Sequence, residues 1–470
     1  MTSAAAIDRQ PLVRRDRFDE AVLLARKLGR PALYSLVERL PYTPNPIAFL
    51  GASSEALGGG ILWDQPNVGI AFSGAGSAFE IRADGPERFG QVSMAMGDLG
   101  ERLVRDDEDV PFPFIGGFAF DERGKGSTTW HNFSDAMFIV PEVLLQVTGH
   151  DALIRITVQV DPVTSADHVE RRVCDLQERV RQWANAPLLV LPEQGQLRRE
   201  SHPDREIWES SVARAVAMIR QETVDKVVLA REERLLAGGP FSVISTLARL
   251  RRVDSAATLF ATKSGESWFI GATPERLVRL HGGRVDVTCL AGSIGTGSGA
   301  AEQSRLAAQL LASEKDREEH EIVVRSTIST LEEVCENVSR LAGTPRVVMA
   351  RSVQHLETPL TGIMSGDGTI LELVERLHPT PAVGGYPRRR ALSVIRELEE
   401  IDRGWYAGPF GWVDLDGAGE FVVAIRSALL CGSRASLFAG CGIVAASVPA
   451  DEYEETCLKL RPMLSALGAA

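Results

Sequence analysis

The spacing of hydrophobic residues in the first 200 positions alternates between helical and extended patterns. Apolar residues recur three and four positions apart in three stretches, which predicts helices over residues 17–40, 88–104 and 166–184. Runs rich in β-branched and aromatic residues predict strands at 47–50, 68–72, 111–122, 136–146 and 152–160. A segment with Pro, Gly and Gln at 186–205 is the predicted linker to the rest of the chain.

After residue 202 the runs are shorter, and strands are predicted with helices between them. The predicted helices cover 208–220, 242–251, 301–340, 371–377 and 389–400. The predicted strands cover 225–236, 257–262, 268–270, 285–290, 347–350, 353–361, 410–414, 420–430 and 435–441. This order, antiparallel strands with intervening helices, predicts an α+β (α/β) fold rather than a doubly wound parallel sheet.

The most informative stretch lies near the C-terminus, where a strand with a Gly-x-Gly leads into a charged helix. Gly440 and Gly442 allow backbone N–H groups to approach a ligand closely. Glu452, Glu455 and Lys459 follow at helical spacing, so they share one helix face. Carboxylates, an ammonium group and bare amides in one place indicate a site for a metal-bridged anion. A solvated helix face after a hairpin is the alternative.

Composition and charge limit the class of protein. Of the 470 residues, 44% are hydrophobic and 24% are charged, which is ordinary for a soluble protein with a large core. The net charge of −12 argues against nucleic acid as a partner, and it requires local Lys, Arg or metal for any anionic substrate.

Six scattered cysteines without a CxxC pair indicate reduced thiols in the cytoplasm. The N-terminus lacks the apolar core of a signal peptide. No apolar run approaches the roughly 20 residues that cross a bilayer, so no membrane association is expected.

Three further side chains are candidates for chemistry. Lys226 precedes the apolar run VVLA, and a buried lysine loses its charge readily, which suits a base. Glu275 lies in a turn, where a partly dry cleft would raise its pKa and make it a general acid. Arg426 interrupts an apolar strand and needs an anion, so it is a candidate for binding a carboxylate. The alternatives are a strand-edge lysine in solvent, an exposed carboxylate paired with Arg276, and an outward-facing arginine.

The charged segment SEKDREEHEIV supplies further acidic residues. Only one face of its helix can point inward, so at most one or two of these acids are functional. Glu318 and Glu319, with Glu455, are candidate Mg²⁺ ligands, because Mg²⁺ commonly uses one or two carboxylates, waters and the substrate's own oxygens. His355 and His378 lack the spacing of a zinc site and are predicted to be structural or to contact the substrate.

Nine segments in residues 225–467 together resemble the chorismate-utilising enzymes, specifically isochorismate synthases. In order they are DKVVLARE, GATPERL, CLAGS, SEKDREEHEIV, HLETPLTG, LHPTPAVGGYPR, RGWYAGPFGW, AIRSALL and GCGIVAASVPADEYEETCLKL. The resemblance implies one large unit of two packed antiparallel β-sheets, with helices outside and the site between the sheets. Residues 1–200 would be the N-terminal α/β part of this fold, and 201–470 its chorismate-binding catalytic region.

The same resemblance implies a role for each candidate residue. Lys226 is similar to the base that activates a water for attack at C2 of chorismate. Glu275 is similar to the acid that protonates the departing C4 hydroxyl, giving isochorismate. Glu319 and Glu455 resemble Mg²⁺ ligands, with Glu452 and Glu318 near them. The implied substrate contacts are Arg426, Lys459 and backbone amides near Gly292, Ser293, Gly440 and Gly442, with His355, Thr380 and Ala382 as cavity walls.

Related enzymes with other reactions set the alternatives. Relatives that use ammonia typically carry Gln at position 226, and one type carries Lys where Ala291 stands, so Lys226 and Ala291 favour water as the nucleophile. Salicylate synthases, which share Lys226 and Glu275 and also eliminate pyruvate, are the second hypothesis. A chorismate-binding protein without catalysis is the third. The length and the extended N-terminal half favour menaquinone over siderophore biosynthesis, and the family resemblance implies a monomer.

Overall fold

The computed structural model describes residues 15–122, 128–192, 197–350 and 353–469, apart from the side chain of Ala350. Residues 1–14, in which no signal peptide is predicted, lie outside these ranges. The helices are α1 (Arg15–Leu28), α2 (Pro46–Leu57), α3 (Arg88–Gly100), α4 (Ala166–Ala184), α5 (Arg205–Arg220), α6 (Val243–Val253), α7 (Ala300–Ala312), α8 (Glu314–Leu331), α9 (Ile370–Leu377), α10 (Arg388–Leu398) and α11 (Pro449–Ala466).

The strands of the N-terminal part are β1 (Ala32–Leu40), β2 (Ile61–Gln65), β3 (Ile70–Ala75), β4 (Phe79–Ala83), β5 (Leu103–Arg105), β6 (Phe114–Phe118), β7 (Ala136–Val140), β8 (Val143–Thr148) and β9 (Asp151–Val160). Those that follow are β10 (Arg198–His202), β11 (Lys226–Leu236), β12 (Thr258–Ser264), β13 (Ser267–Thr273), β14 (Arg276–His281), β15 (Arg284–Gly295), β16 (Cys335–Arg340), β17 (Arg346–Ala350), β18 (Val353–Met364), β19 (Gly385–Tyr386), β20 (Pro409–Val413), β21 (Gly419–Val423), β22 (Ser427–Cys431) and β23 (Arg434–Ile443).

These strands form two large sheets. One sheet has the order β10-β11-β23-β22-β13-β12-β2-β3-β8-β9-β1-β5, with β19 beside β11. The other has the order β16-β18-β15-β14-β21-β20-β6-β7-β4, with β17 beside β18. Among the described strands the pairs are antiparallel apart from β1 with β5. The predicted α+β fold with two antiparallel sheets is therefore confirmed.

Aromatic side chains fill the space between the two sheets. The rings of Phe260 and Phe410 lie 5.0 Å apart, those of Trp63 and Phe410 6.5 Å, and those of Phe72 and Trp412 5.3 Å. Each such ring removes roughly 150–250 Å² from water, so these contacts carry much of the packing energy. Trp63 and Phe72 belong to the N-terminal part and the others to the C-terminal part. Pairing of β2 with β12 and of β6 with β20 also joins the two parts. The division of the chain into residues 1–200 and 201–470 stays a prediction.

Two predictions of local structure near the N-terminus are wrong. The predicted helix over 17–40 ends at Leu28, because Gly29 takes a left-handed φ of 65° and Pro31 follows, after which β1 pairs with β9. The predicted strand at 47–50 lies inside α2. The Asn45 side chain accepts hydrogen bonds from the first backbone N–H groups of α2, and Pro46 occupies its first turn.

Two predicted elements of the C-terminal part are broken up in the structure, and part of the predicted linker forms a strand. The helix predicted over 301–340 ends at Ala312, restarts where Ser313 caps α8, and gives way to β16, which pairs with β18. The strand predicted over 420–430 is two strands, β21 and β22. The predicted linker contains β10, which pairs with β11, while its residues 193–196 lie outside the described ranges. None of the described helices is long and apolar enough to cross a membrane.

Trp130 fixes the N-terminal part of the chain to the C-terminal part. Its side chain is fully buried, its Nε1 donates to the carbonyl of Asp402 at 3.1 Å, and its ring stacks on Phe438 at 5.6 Å. Gly404 lies directly against the indole with a φ of 50°, and a Cβ there would be 2.2 Å from Trp130 Cδ2. The close approach therefore requires glycine at this position.

Gly404→Ala is expected to lower the free energy of unfolding by roughly 2–4 kcal/mol, because overpacking and a left-handed φ both carry a cost. Urea unfolding followed by tryptophan fluorescence measures this change. The control is Gly90→Ala in α3, where the added Cβ meets nothing within 4 Å. That change is expected to stabilise by up to about 1 kcal/mol. Equal unfolding midpoints for the Gly404 variant and the unaltered protein would contradict the argument.

Candidate active site

A cavity of about 210 Å³ is lined by residues of β11, β15, β23, α8 and α11. Of the predicted site residues, Lys226, Thr380, Glu318 and His378 are not in its wall. The predicted residues in its wall are Glu275, Gly292, Ser293, Glu319, His355, Ala382, Arg426, Gly440, Gly442, Glu452, Glu455 and Lys459. Residues far apart in the chain therefore meet as the spacing and the family resemblance predict.

Helix α11 presents Glu452, Glu455 and Lys459 to this cavity. Lys459 Nζ lies 2.7 Å from Glu455 Oε1 and donates to the carbonyl of Gly440 at 2.9 Å. Burial alone would raise the pKa of Glu455, but the Lys459 ammonium outweighs it and holds that pKa below its usual range. Burial likewise disfavours the Lys459 charge, while Glu455 raises the pKa of Lys459 overall. The solvated-face alternative for this helix is thus wrong.

Lys226 begins β11 and is only 1% exposed, as the apolar run after it predicts. Its Nζ forms an ion pair with Glu319 Oε1 at 2.8 Å, and Glu319 in turn lines the cavity. Gly442 on the neighbouring strand leaves the space for this pair. A Cβ at Gly442 would lie 2.7 Å from Glu319 Oε1 and 2.9 Å from Lys226 Cε.

Glu275 occupies the turn between β13 and β14 and is buried. Its backbone N–H donates to Thr273 Oγ1, and its carbonyl accepts from Val423, so the turn is fixed to both sheets. Burial raises the pKa of Glu275 to about 7, although Lys226, Lys459 and Arg426 lower it. Arg276 instead pairs with Glu420 at 2.9 Å. The alternative of an exposed Glu275 paired with Arg276 is therefore wrong, and the carboxyl group is suited to donate a proton near neutral pH.

Arg426 lies in the break between β21 and β22, not inside a continuous strand. Its φ of 54° is unusual for a residue with a side chain and turns the chain so that Arg426 enters the cavity wall. Its buried Nη1 has no hydrogen-bond partner among the described residues. Burial lowers the pKa of Arg426, while Tyr406 and Glu455 oppose this effect. A buried guanidinium with an unused donor is an anion-binding group.

His355, Gly292 and Ser293 form one polar corner of the cavity. The pairing of β15 with β18 is irregular between Ala291 and Ser293, where Gly292 has a φ of 73°. His355 Nδ1 lies 3.0 Å from Ser293 Oγ and 3.3 Å from the Gly292 carbonyl. Burial, Arg426 and Lys459 lower the pKa of His355 to about 3. His355 therefore contributes a neutral imidazole for hydrogen bonding.

The three candidate metal ligands in the cavity wall, Glu319, Glu452 and Glu455, are each paired with a lysine. Besides the pairs of Glu319 and Glu455, Glu452 lies 3.4 Å from Lys315 Nζ. Burial and the nearby Glu455 raise the pKa of Glu452. Within the described ranges no group of three or more His, Cys, Asp or Glu side chains could hold a metal ion. Glu319 and Glu455 supply carboxylate oxygens, the type of donor that Mg²⁺ takes when water and substrate oxygens complete its coordination.

Thr380 and Glu318 lie outside the cavity, and His378 takes the structural one of its two predicted roles. The carbonyl of Thr380 accepts hydrogen bonds from Val383 and Gly384, so it shapes the turn that places Ala382 in the wall. Glu318 is exposed and is not among the residues that line the cavity. His378 Nε2 lies 2.8 Å from the Phe120 carbonyl, which makes this histidine structural.

Sequence reasoning missed several residues of the wall. Tyr406 lines the cavity and stacks on Phe438 at 5.4 Å, and burial raises its pKa. It belongs to RGWYAGPFGW, one of the segments that carry the resemblance. Lys315 and Asp316 also line the cavity. Their positions four and three residues before Glu319 place them on the same helix face, a signal that was present in the sequence.

Comparison with known proteins shows the family to which this chain belongs. The family described as chorismate binding enzyme matches residues 18–468. The salicylate biosynthesis isochorismate synthase of Pseudomonas aeruginosa is 39% identical over 457 residues, which cover 97% of this chain and 94% of that protein. The isochorismate synthase MenF of Bacillus subtilis is 35% identical over 435 residues, covering 90% and 91%. The protein belongs to the chorismate-binding enzyme family.

A solved structure confirms the fold. MenF, the menaquinone-specific isochorismate synthase from Escherichia coli, superposes with a TM-score of 0.79 at 24% sequence identity. The match covers 96% of this chain and 100% of that one. The family resemblance predicted from the sequence segments and the fold that it implies are both confirmed.

Gly442→Ala is expected to lower the rate of chorismate consumption by roughly 10- to 100-fold, because a displacement of about 1 Å at a reacting group costs this much. The free energy of unfolding is expected to change by less than about 1 kcal/mol, since the added methyl meets only flexible side-chain ends. Turnover assays and urea unfolding measure the two effects. Gly238→Ala, whose Cβ would meet nothing within 4 Å, is the control. Unchanged turnover in the Gly442 variant would contradict the predicted role of this space.

Proposed function

We propose that this protein is a Mg²⁺-dependent isomerase that converts chorismate to isochorismate. The observation that carries the proposal is Glu275, a buried carboxyl group whose pKa is raised to about 7 in a cavity beside a buried lysine. An acid in the cavity wall and a buried lysine paired with Glu319 of the same wall support addition of water at one ring carbon and loss of a hydroxyl at another. The relatives named isochorismate synthases cover nearly the whole chain and support the same reaction.

Lys226 and Glu275 divide the proton transfers. As a neutral amine, Lys226 accepts a proton from the attacking water as the water oxygen bonds to C2 of chorismate, and Lys226 becomes an ammonium group. The ring double bonds shift, and the C4–O bond breaks as Glu275 gives its proton to the departing hydroxyl, which leaves as water. The overall composition is unchanged, as an isomerisation requires. Ala291, whose small side chain lines the cavity, leaves room for the water.

Positive charge in the cavity supports binding of a dianion by a protein of net charge −12. Arg426 with its free Nη1 and Lys459 are placed to bind carboxylates, with the backbone amides of Gly292 and Gly440 near them. Glu319 and Glu455 would hold Mg²⁺, with Glu452 beside them, and the ion would neutralise the ring carboxylate of chorismate. The proposal names the reaction and no pathway, because the long relatives include both a salicylate-biosynthesis protein and MenF.

Product analysis of purified protein mixed with chorismate tests this function. Isochorismate is expected in equilibrium with chorismate when Mg²⁺ is present and not after its removal with a chelator. Lys226→Ala is the control, and it is expected to bind chorismate in calorimetry without forming product. Salicylate and pyruvate in equal amounts would instead identify a salicylate synthase. Chorismate binding without any product would mean a non-catalytic chorismate-binding protein.

The pH dependence tests the role of Glu275 as the acid. Because Glu275 donates a proton, its active form exists below its pKa of about 7 and is lost as pH rises. We expect the ratio of kcat/KM for the unaltered protein to that for Glu275→Gln to fall about tenfold per pH unit above pH 7. This ratio cancels groups that titrate in both proteins. A ratio independent of pH from 6 to 9 would remove Glu275 from the mechanism.

A further inference from the structure

Strand β11, which carries Lys226, lacks a neighbouring strand along part of one edge. On that edge β19 pairs with Lys226 and Val227, and β10 pairs only from Glu232 onward. Between them, the Val228 N–H donates to the Gly384 carbonyl at 3.0 Å just before β19, and the remaining groups on this edge have no strand beside them. These backbone N–H and C=O groups are buried and need partners, because an unpaired buried backbone group is costly.

The side chains of Glu399 and Arg403 supply two of these partners. Arg403 Nη2 donates to the carbonyl of Val228 at 2.7 Å, and the Ala230 N–H donates to Glu399 Oε1 at 2.7 Å. The two side chains form an ion pair, with Arg403 Nε 2.9 Å from Glu399 Oε2. Both are about 95% buried, since their side chains are 4% and 5% exposed. The pair thus fills the gap in the sheet edge as a strand would.

Arg403 itself lines the cavity and also contacts the turn that contains Val383. Its Nη1 donates to the carbonyl of Val383 at 2.9 Å, and its guanidinium lies 4.2 Å from the centre of the Phe120 ring. Val228 and Val383 both line the cavity, as does Ala382, which precedes Val383 in the chain. One guanidinium therefore joins the strand of Lys226 to the turn that forms part of the substrate wall.

We propose that Arg403 and Glu399 are positioning residues, which hold Lys226 and the turn ending at Gly384 in the arrangement needed for turnover. The inference rests on the proposed function, because Lys226 is its base. Arg403 lies in the cavity wall, and its guanidinium donates hydrogen bonds to Val228, Val383 and Glu399, through which it acts on β11 and the turn. Lysine at this position keeps the charge but lacks the planar set of donors that reaches both carbonyls and Glu399 at once.

The test is Arg403→Lys. We expect kcat to fall by about 10- to 100-fold while KM for chorismate changes by less than about threefold. The reason is that the base is displaced whereas Arg426 and Lys459 remain in place. A matching fall is expected for Glu399→Gln, which keeps the acceptor for Ala230 but loses the ion pair with Arg403.

Arg155→Lys is the matched control for simple destabilisation. Arg155 in β9 is 2% exposed, donates to the carbonyls of Val110 and Pro111, and stacks on the Phe112 ring, yet it does not line the cavity. Its replacement is expected to lower the melting temperature with kcat unchanged. An equal fall of kcat in Arg155→Lys, or none in Arg403→Lys, would overturn the inference.

Hydrogen exchange gives a readout that does not depend on the reaction. In Glu399→Ala, the amide of Ala230 is expected to exchange at least about tenfold faster, while Val227 and Leu229 keep their protection through β23. Unchanged exchange at Ala230 would also overturn the inference. If the unaltered protein forms no isochorismate, the proposed function fails, and the exchange result still decides whether the pair holds β11.

Discussion

The antiparallel pairing of β11 with β23 is the constraint on which the site depends. Its register places Val228 opposite Gly442 and Ala230 opposite Gly440, so the strand of Lys226 runs beside the glycines that precede α11. Side chains alternate between the two faces of a strand, and a shift by one residue would turn Lys226 away and put a side chain where the ion pair lies. At Gly442 the space that a Cβ would take is occupied by Lys226 and Glu319, and at Gly440 a Cβ would lie 2.8 Å from the Leu229 carbonyl oxygen.

Charge balance inside the cavity follows from this packing. Burying unpaired charges is costly. In the cavity wall Glu319, Glu452 and Glu455 each form an ion pair with a lysine. Two groups depart from this balance. Glu275 has no ion-pair partner among the described residues and responds with a raised pKa, and Arg426 keeps an unused donor. Such departures concentrate where a protein binds or transforms something, which is why these two residues define the chemistry.

Much of the fold and of the site was predictable because local signals agreed with the tertiary structure. Helix α4 has the predicted bounds, and the face shared by Glu452, Glu455 and Lys459 follows from helix geometry alone. The errors have physical causes. The apolar residues after Pro46 resemble a strand, but the Asn45 cap makes them helical. Arg426 was predicted within a strand because an isolated residue with a positive φ leaves no signal in the hydrophobic pattern.

The sequence by itself determined the family, the α+β class and the types of residue available for the reaction, since these depend on local spacing and on recognisable segments. The tertiary structure alone decided which of them meet. It paired Lys226 with Glu319, left Glu318 and Thr380 outside the cavity, and brought Arg403 to the open edge of β11. The physical reason is that burial and pairing partners arise from contacts between residues far apart in the chain. These contacts set the pKa of Glu275 and the free donor of Arg426, and no local pattern records them.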